Sequence, residues 1–286
     1  MGGLTIPQIE QVAQRIRANI IRMLERAGSG HAAGPLGLSD IMAALYFNVL
    51  NLRTEEPNWS ERDVFIMSNG HCAPVLYATM AERGFFDKQE LLTLRQLGSR
   101  LQGHPERVML PGLETTSGPL GSGLSQAAGV AYSLQYLDKD SKRFVYCMMG
   151  DGELNEGNVW EAAMFGAKYR LGQLIGIVDR NNIQIGGSTE EVMPLESLRD
   201  KWESFGWHVQ EIDGHNIESI IESMSMARAV TNRPSVIIAH TIPGRGVDFM
   251  EYDFRWHGMA PDKEQAKQAL EKLQTLDGRT EAAHVN

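Results

Sequence analysis

Cysteine is nearly missing from this chain of 286 residues: Cys72 and Cys147 are the only two, and both sit in apolar segments. That excludes a disulfide framework and leads us to expect a reduced, cytoplasmic setting. No stretch approaches the ~20 apolar residues that cross a bilayer, and no charged-then-apolar leader opens the sequence, so no membrane partner is expected. Positive charge is short as well, with 27 Lys and Arg against 36 Asp and Glu and a formal charge of −9. No nucleic acid is expected as a partner, because a phosphate backbone demands basic stripes that are not found. Neither the G-x-G-x-x-G dinucleotide fingerprint nor a P-loop follows a suitable strand. An anionic ligand would therefore need a metal ion.

What is present is enough apolar material, 42% of residues, to bury a sizeable core, and a single domain over 1–286 is the simplest reading. Apolar residues at Ile9, Val12, Ile16, Ile20, Ile21 and Leu24 predict an amphipathic helix over Ile9 to Ala27. Further helices are expected at Ser39 to Leu50, Pro74 to Arg83, Lys88 to Leu97, Leu124 to Leu137, Trp160 to Tyr169, Ile217 to Val230 and Asp262 to Leu273. Five apolar runs read as strands: 63–67, 143–149, 174–178, 207–212 and 235–239. Their alternation with helices predicts an α/β fold, a mostly parallel sheet covered by helices on both faces. Two long Gly- and Pro-containing loops, 98–123 and 243–261, are of the kind that carries function.

Gly150-Asp151-Gly152 and Asn181-Asn182 follow two of these strands. In a parallel sheet both strand exits lie on one edge, where ligands bind, so Asp151 and Asn181 can meet although they are distant in sequence. A carboxylate, an amide oxygen and a backbone carbonyl are hard donors suited to Mg²⁺ or Ca²⁺, with phosphate oxygens and water completing the shell. Gly150 and Gly152 let the backbone approach an anion, and Gly152 is expected to aim its N–H at a phosphate oxygen.

Four of the eight histidines, His31, His71, His104 and His257, lie beside glycines in loops. A lone loop histidine ordinarily serves local hydrogen bonds; four such histidines near one sheet edge point to a polar pocket. His208, His215, His240 and His284 lack this context and read as structural or surface residues. Gly118-Pro119-Leu120-Gly121-Ser122-Gly123 reads either as a plain turn before a helix or as backbone lining a cofactor.

Over nearly its whole length the sequence resembles the thiamine diphosphate-binding N-terminal domain of transketolases. Ser29-Gly30-His31, Ser68-Asn69-Gly70-His71, Gly103-His104-Pro105-Glu106, Thr116-Ser117-Gly118-Pro119-Leu120-Gly121, the segment Gly150 to Gly157, and Asp179-Arg180-Asn181-Asn182 occur in the family order. The resemblance implies that Asp151, Asn181 and the Ile183 carbonyl hold Mg²⁺ or Ca²⁺, that Gly152 and His71 approach the diphosphate, and that Gly118 and Leu120 surround the cofactor rings. It implies further that His31, His104 and His257 face the substrate, His31 and His257 near the reacting carbonyl and His104 further along the sugar, with His257 also beside the cofactor. Glu156 matches an acidic position that connects cofactor sites across a dimer. Phe254 stands where many transketolases have a second histidine ahead of His257.

The family continues into pyrimidine-binding and C-terminal domains, which are absent here and expected on a separate chain. The resemblance therefore implies an N-terminal subunit of a split transketolase, in a heterotetramer of two such pairs, transferring a two-carbon ketol unit between sugar phosphates through a thiamine diphosphate enamine. An unusual sulfo- or branched sugar is the alternative substrate. A non-catalytic thiamine diphosphate-binding protein and a metal-dependent phosphohydrolase using Asp151 are the readings from other classes.

Overall fold

The computed structural model describes residues 4–283, with side chains up to Gln274. In chain order the elements are α1 (Ile6–Ala27), α2 (Ala33–Gly37), α3 (Ser39–Ala44), β1 (Val64–Met67), α4 (Ala73–Arg83), α5 (Ser122–Tyr136), β2 (Val145–Gly150), α6 (Gly157–Lys168) and β3 (Leu174–Arg180). They continue with β4 (Ile183–Gln184), β5 (Gly187–Ser188), α7 (Thr189–Val192), α8 (Leu198–Ser204), β6 (His208–Asp213), α9 (Ile217–Ala229), β7 (Ser235–His240) and α10 (Lys263–Ala283).

All five expected strands form one sheet in the order β1-β2-β3-β7-β6, every pairing parallel. Because side chains alternate along a strand, each strand feeds two cores. Tyr146 and Met148 of β2, Phe65 and Met67 of β1 and Ile175 and Ile177 of β3 enter the core shared with α1, α3, α4, α9 and α10. Their neighbours Val145, Cys147, Met149, Val64, Ile66, Leu174 and Val178 face the other way, against α5, α6 and α8. Both cysteines are buried and unpaired, as the apolar context suggested.

Helix α1 starts earlier than its apolar stripe, because Thr5 offers its backbone N–H to Gln8 Oε1 at 2.9 Å and so caps the first turn. It ends where Gly28 adopts a left-handed conformation and returns its N–H to Leu24. The expected helix over Ser39 to Leu50 is α3 followed by a π-helical turn, Leu45–Val49. The expected helix over Lys88 to Leu97 is a 3₁₀ segment, Lys88–Thr93, since Arg95 takes a positive φ and its N–H bonds to Leu101. The β4–β5 hairpin, α2, α7 and α8 are too short to leave a periodic signal. The final helix begins as expected beside Asp262, which accepts the Gln265 N–H at 2.9 Å, and runs beyond Leu273 to Ala283. Among the described residues no helix is long and apolar enough to cross a membrane.

Candidate active site

Parallel pairing brings the exits of β1, β2, β3 and β7 to one edge. Ser68 donates its N–H to Met148 at 2.8 Å, Asp151 to Asp179 at 3.2 Å and Thr241 to Arg180 at 3.3 Å, so the four exits are stitched side by side. Asp151 and Asn181 do meet there, beside a cavity of about 400 Å³. His31, His71, His104, Gly118, Leu120, Gly152, Ile183 and His257 line the same cavity. Every sequence-identified site residue is thus gathered except Glu156, which is exposed on the loop before α6.

The carboxylate of Asp151 is 2% exposed and held by three donors. Its Oδ1 accepts the Gly152 N–H at 2.7 Å; its Oδ2 accepts the Asn182 N–H at 2.7 Å and an Arg180 guanidinium N–H at 3.2 Å. Burial nonetheless pushes its pKa above the ordinary carboxylate value. The Gly152 N–H is therefore given to Asp151, against the expectation that it would aim at a phosphate. What Gly152 contributes is its small profile, since a Cβ there would stand 3.0 Å from Gln184 Cγ.

The Asn181 amide is fixed from both ends. Its Nδ2 donates to Asp179 Oδ2 at 2.8 Å, and its Oδ1 accepts the Ile183 N–H at 3.1 Å while keeping a lone pair free. Asp179 is fully enclosed, takes the Thr241 hydroxyl as well, and is pushed up to about 7 by burial and by the charge of Asp151. Among the described residues no three His, Cys, Asp or Glu side chains converge as a metal cluster. A cation here would meet mixed oxygen donors instead: the Asp151 carboxylate, the Asn181 amide and the carbonyl of Ile183, which opens the β4–β5 hairpin. That set suits a hard ion. The cavity also holds Asn69 Oδ1, a buried acceptor without a hydrogen-bond partner. An incoming donor would satisfy it.

Three imidazoles pack against each other at the other side of the cavity. Ring centroids are 4.9 Å apart for His31 and His71, 5.2 Å for His71 and His257, and 5.7 Å for His31 and His257. Burial first, then the neighbouring imidazoles, lowers His71 to about 3; burial, His257 and Arg95 lower His31 to about 4. Burial lowers His257 and His104 too, the latter with help from Arg95. These rings are therefore neutral at pH 7, rather than poised near it as lone histidines would be. A bound anion beside them would raise their proton affinity.

Sequence reading assigned no individual role to Glu153 or Arg95. Glu153 is a buried residue of the cavity wall and accepts the N–H groups of Gly121 and Gly150 and the Ser68 hydroxyl. Helix α5 abuts that point so closely that a Cβ on Gly123 would lie 2.3 Å from Ser68 Cβ, and Gly121 ahead of it has φ 83°. Arg95 lies against Gly103, where a Cβ would stand 3.1 Å from its Nε. The words that hold Ser68, Gly103, Gly121, Gly123 and Glu153 are visible in the sequence, but the contacts of Glu153 with Ser68 and Gly121 are not, because they join separate segments.

The remaining histidines stay out of the cavity. His215 Nδ1 meets Asp40 at 2.7 Å and its Nε2 accepts the Ile242 N–H at 2.7 Å, a structural role as expected. His240 pairs with Glu211 at 3.0 Å and His208 lies half-buried on β6. His284 is outside the described residues.

Residues 9–278 match the family described as "Transketolase, thiamine diphosphate binding domain". The chain is 38% identical over 270 residues to an apulose-4-phosphate transketolase subunit of Phocaeicola vulgatus, covering 94% of this chain and 95% of that one. It is 40% identical over 270 residues to the 6-deoxy-6-sulfo-D-fructose transketolase subunit SqwG of a Clostridium species, covering 93% and 98%. The crystal structure of Campylobacter jejuni transketolase superposes with a TM-score of 0.88 at 31% identity, over 97% of this chain but 46% of that longer one. With its strand order, its sheet-edge cavity and these matches together, the chain belongs to the transketolase family, as its thiamine diphosphate-binding domain.

Proposed function

We propose that this chain is the N-terminal subunit of a two-chain transketolase that moves a two-carbon ketol unit from a ketose to an aldose. The observation that carries the reading is the meeting of Asp151, Asn181 and Ile183 with four neutral histidines around one cavity. Asp151, Asn181 and the Ile183 carbonyl would hold Mg²⁺ or Ca²⁺ against a diphosphate, with His71 and Gly152 beside it and Gly118 and Leu120 around the rings. Thiamine diphosphate, when bound, supplies the carbon nucleophile and the electron sink that breaking a C–C bond next to a carbonyl requires.

The chain's own contribution is placement and proton handling. Neutral His31, His104 and His257 can accept hydrogen bonds from sugar hydroxyls, and His31 or His257 can take the proton released when the C–C bond opens. Gathering uncharged imidazoles avoids stacking positive charge in a buried site, while Arg95 sets one cation beside His31 and His104, the sign an anionic sugar needs. Leu120 and Ile185 line the cavity yet remain 36% and 78% exposed, as expected of apolar surface awaiting a second chain. Glu156, exposed just ahead of α6, is available to reach across such an interface.

For the substrate we favour an uncommon sugar over the common ketose phosphates. Two relatives that match along almost their full length are named for apulose-4-phosphate and for 6-deoxy-6-sulfo-D-fructose. The test is to purify the chain with its C-terminal partner and measure ketol transfer from both of these and from xylulose-5-phosphate, with and without Mg²⁺ and thiamine diphosphate. Cofactor-dependent transfer by the mixture, fastest from one of the uncommon donors and absent from either chain alone, is the expected result. Fastest transfer from xylulose-5-phosphate would return the substrate to the common kind. Tight cofactor binding with no transfer from any donor would favour a non-catalytic binding protein. Sedimentation of the mixture as two such pairs would support the heterotetramer.

A further inference from the structure

Arg180, the last residue of β3, is buried to 3% side-chain exposure and is held at four points. One guanidinium nitrogen donates to Asp151 Oδ2 at 3.2 Å and to Thr189 Oγ1 at 2.7 Å. The other donates to Glu190 and to Glu196, each at 2.8 Å. The cation is thus tied from α7 and the segment beyond it, and its charge is more than balanced by three carboxylates.

A carboxylate has about four in-plane lone-pair positions, two on each oxygen. At Asp151 the Asn182 N–H and Arg180 fill both positions of Oδ2, and the Gly152 N–H fills one of Oδ1. A single position is left. Ca²⁺ takes six to eight oxygens and often grips a carboxylate by both, whereas Mg²⁺ keeps a tight octahedron of single contacts.

Resting on the cation site proposed above, we infer that Arg180 is a positioning residue that leaves Asp151 one oxygen for a divalent cation and so sets the site for Mg²⁺ over Ca²⁺. Three features support it together: the four-point anchoring, the saturation of Oδ2, and the placement of Arg180 directly before Asn181. Arg180 does not line the cavity. It acts through the carboxylate it holds.

The test titrates Mg²⁺ and Ca²⁺ in parallel into the full chain, together with its C-terminal partner, and follows thiamine diphosphate binding by calorimetry. Wild type is expected to half-saturate at lower Mg²⁺ than Ca²⁺. In Arg180→Met, with Oδ2 released, the Mg²⁺ requirement should rise roughly tenfold or more while that for Ca²⁺ changes little or falls. Arg180→Lys, which keeps a cation but not the fork, should lie between. The ratio of the two midpoints is the deciding number, because a general loss of structure would shift both cations alike. Equal shifts, or none, would overturn the inference.

Should Arg180→Met fail to fold, the double variant Glu190→Gln, Glu196→Gln gives the opposite sign. With its exposed anchors neutralised, Arg180 is drawn harder to Asp151, so preference for Mg²⁺ should grow, and no change or a fall would overturn the inference. If wild type binds no thiamine diphosphate with either cation, the site reading itself fails; if it binds but the ratio never moves, only the role of Arg180 does.

Discussion

Glu153 accepts the backbone N–H of Gly121 at 2.7 Å and so fastens the head of α5 to the exit of β2. The same carboxylate takes the Gly150 N–H at 2.9 Å and the Ser68 hydroxyl, joining three of the sequence words around the cavity. Replacing it with Ala orphans two buried donors and one part-buried donor, at about 1–3 kcal/mol for each buried one, so a loss of roughly 3 kcal/mol or more is expected. Glu153→Gln keeps an acceptor oxygen and should lose less. Denaturant unfolding of the two variants checks the order.

Asp151→Ala should abolish cation-dependent thiamine diphosphate binding, because the only carboxylate among the three oxygen donors is removed. His31→Ala should instead lower turnover by about 10²-fold or more with little change in cofactor affinity, as expected for a proton-handling group. Calorimetry for binding and single-turnover kinetics for the assembled enzyme separate the two. An Asp151→Ala protein that bound the cofactor as tightly with Mg²⁺ would remove the cation site from the proposal.

The imidazole cluster should make stability depend on acidity. His31 is lowered from 6.5 to about 4 and His71 to about 3, so between these values and 6.5 the unfolded chain binds protons that the folded one refuses. Their contribution is therefore level above 6.5 and is lost progressively as pH falls below it. Asp179 opposes this: raised from 3.8 to about 7, it binds a proton in the folded state across that window and favours folding toward acid. The difference between wild type and a His31→Asn, His71→Asn double variant isolates the histidines. The variant should lose less stability between pH 6.5 and 4; an equal loss would contradict the lowered values.

His215 links the core to the loop that carries His257. Arg17 and His215 share the buried Asp40, and the far nitrogen of His215 accepts the Ile242 N–H just before that loop. His215→Ala leaves the Ile242 N–H without its acceptor and Asp40 with one partner fewer, so destabilisation of about 2 kcal/mol is expected, read as a lowered thermal midpoint.

What the sequence determined by itself was whatever is written locally and periodically. A continuous apolar run such as Val145 to Met149 specifies a strand buried on both faces, and the stripe from Ile9 to Leu24 specifies a helix with one buried side. Alternation of strand and helix then forces parallel pairing, which is why the linear chain is enough to place Asp151 and Asn181 on one edge. The glycine-flanked histidines are legible for the same reason: each follows its own element and carries its own signature.

Only the tertiary structure decided how those exits bond to one another. That Arg180 grips Asp151, that Glu153 serves Ser68, Gly121 and Gly150, that the Gly152 N–H turns to its neighbour's carboxylate, and that His31, His71 and His257 are buried against one another are all contacts fixed by the folded arrangement of the strand exits. Hydrogen bonds and charge interactions depend on separations of a few ångströms in three dimensions, and a linear pattern holds no record of them.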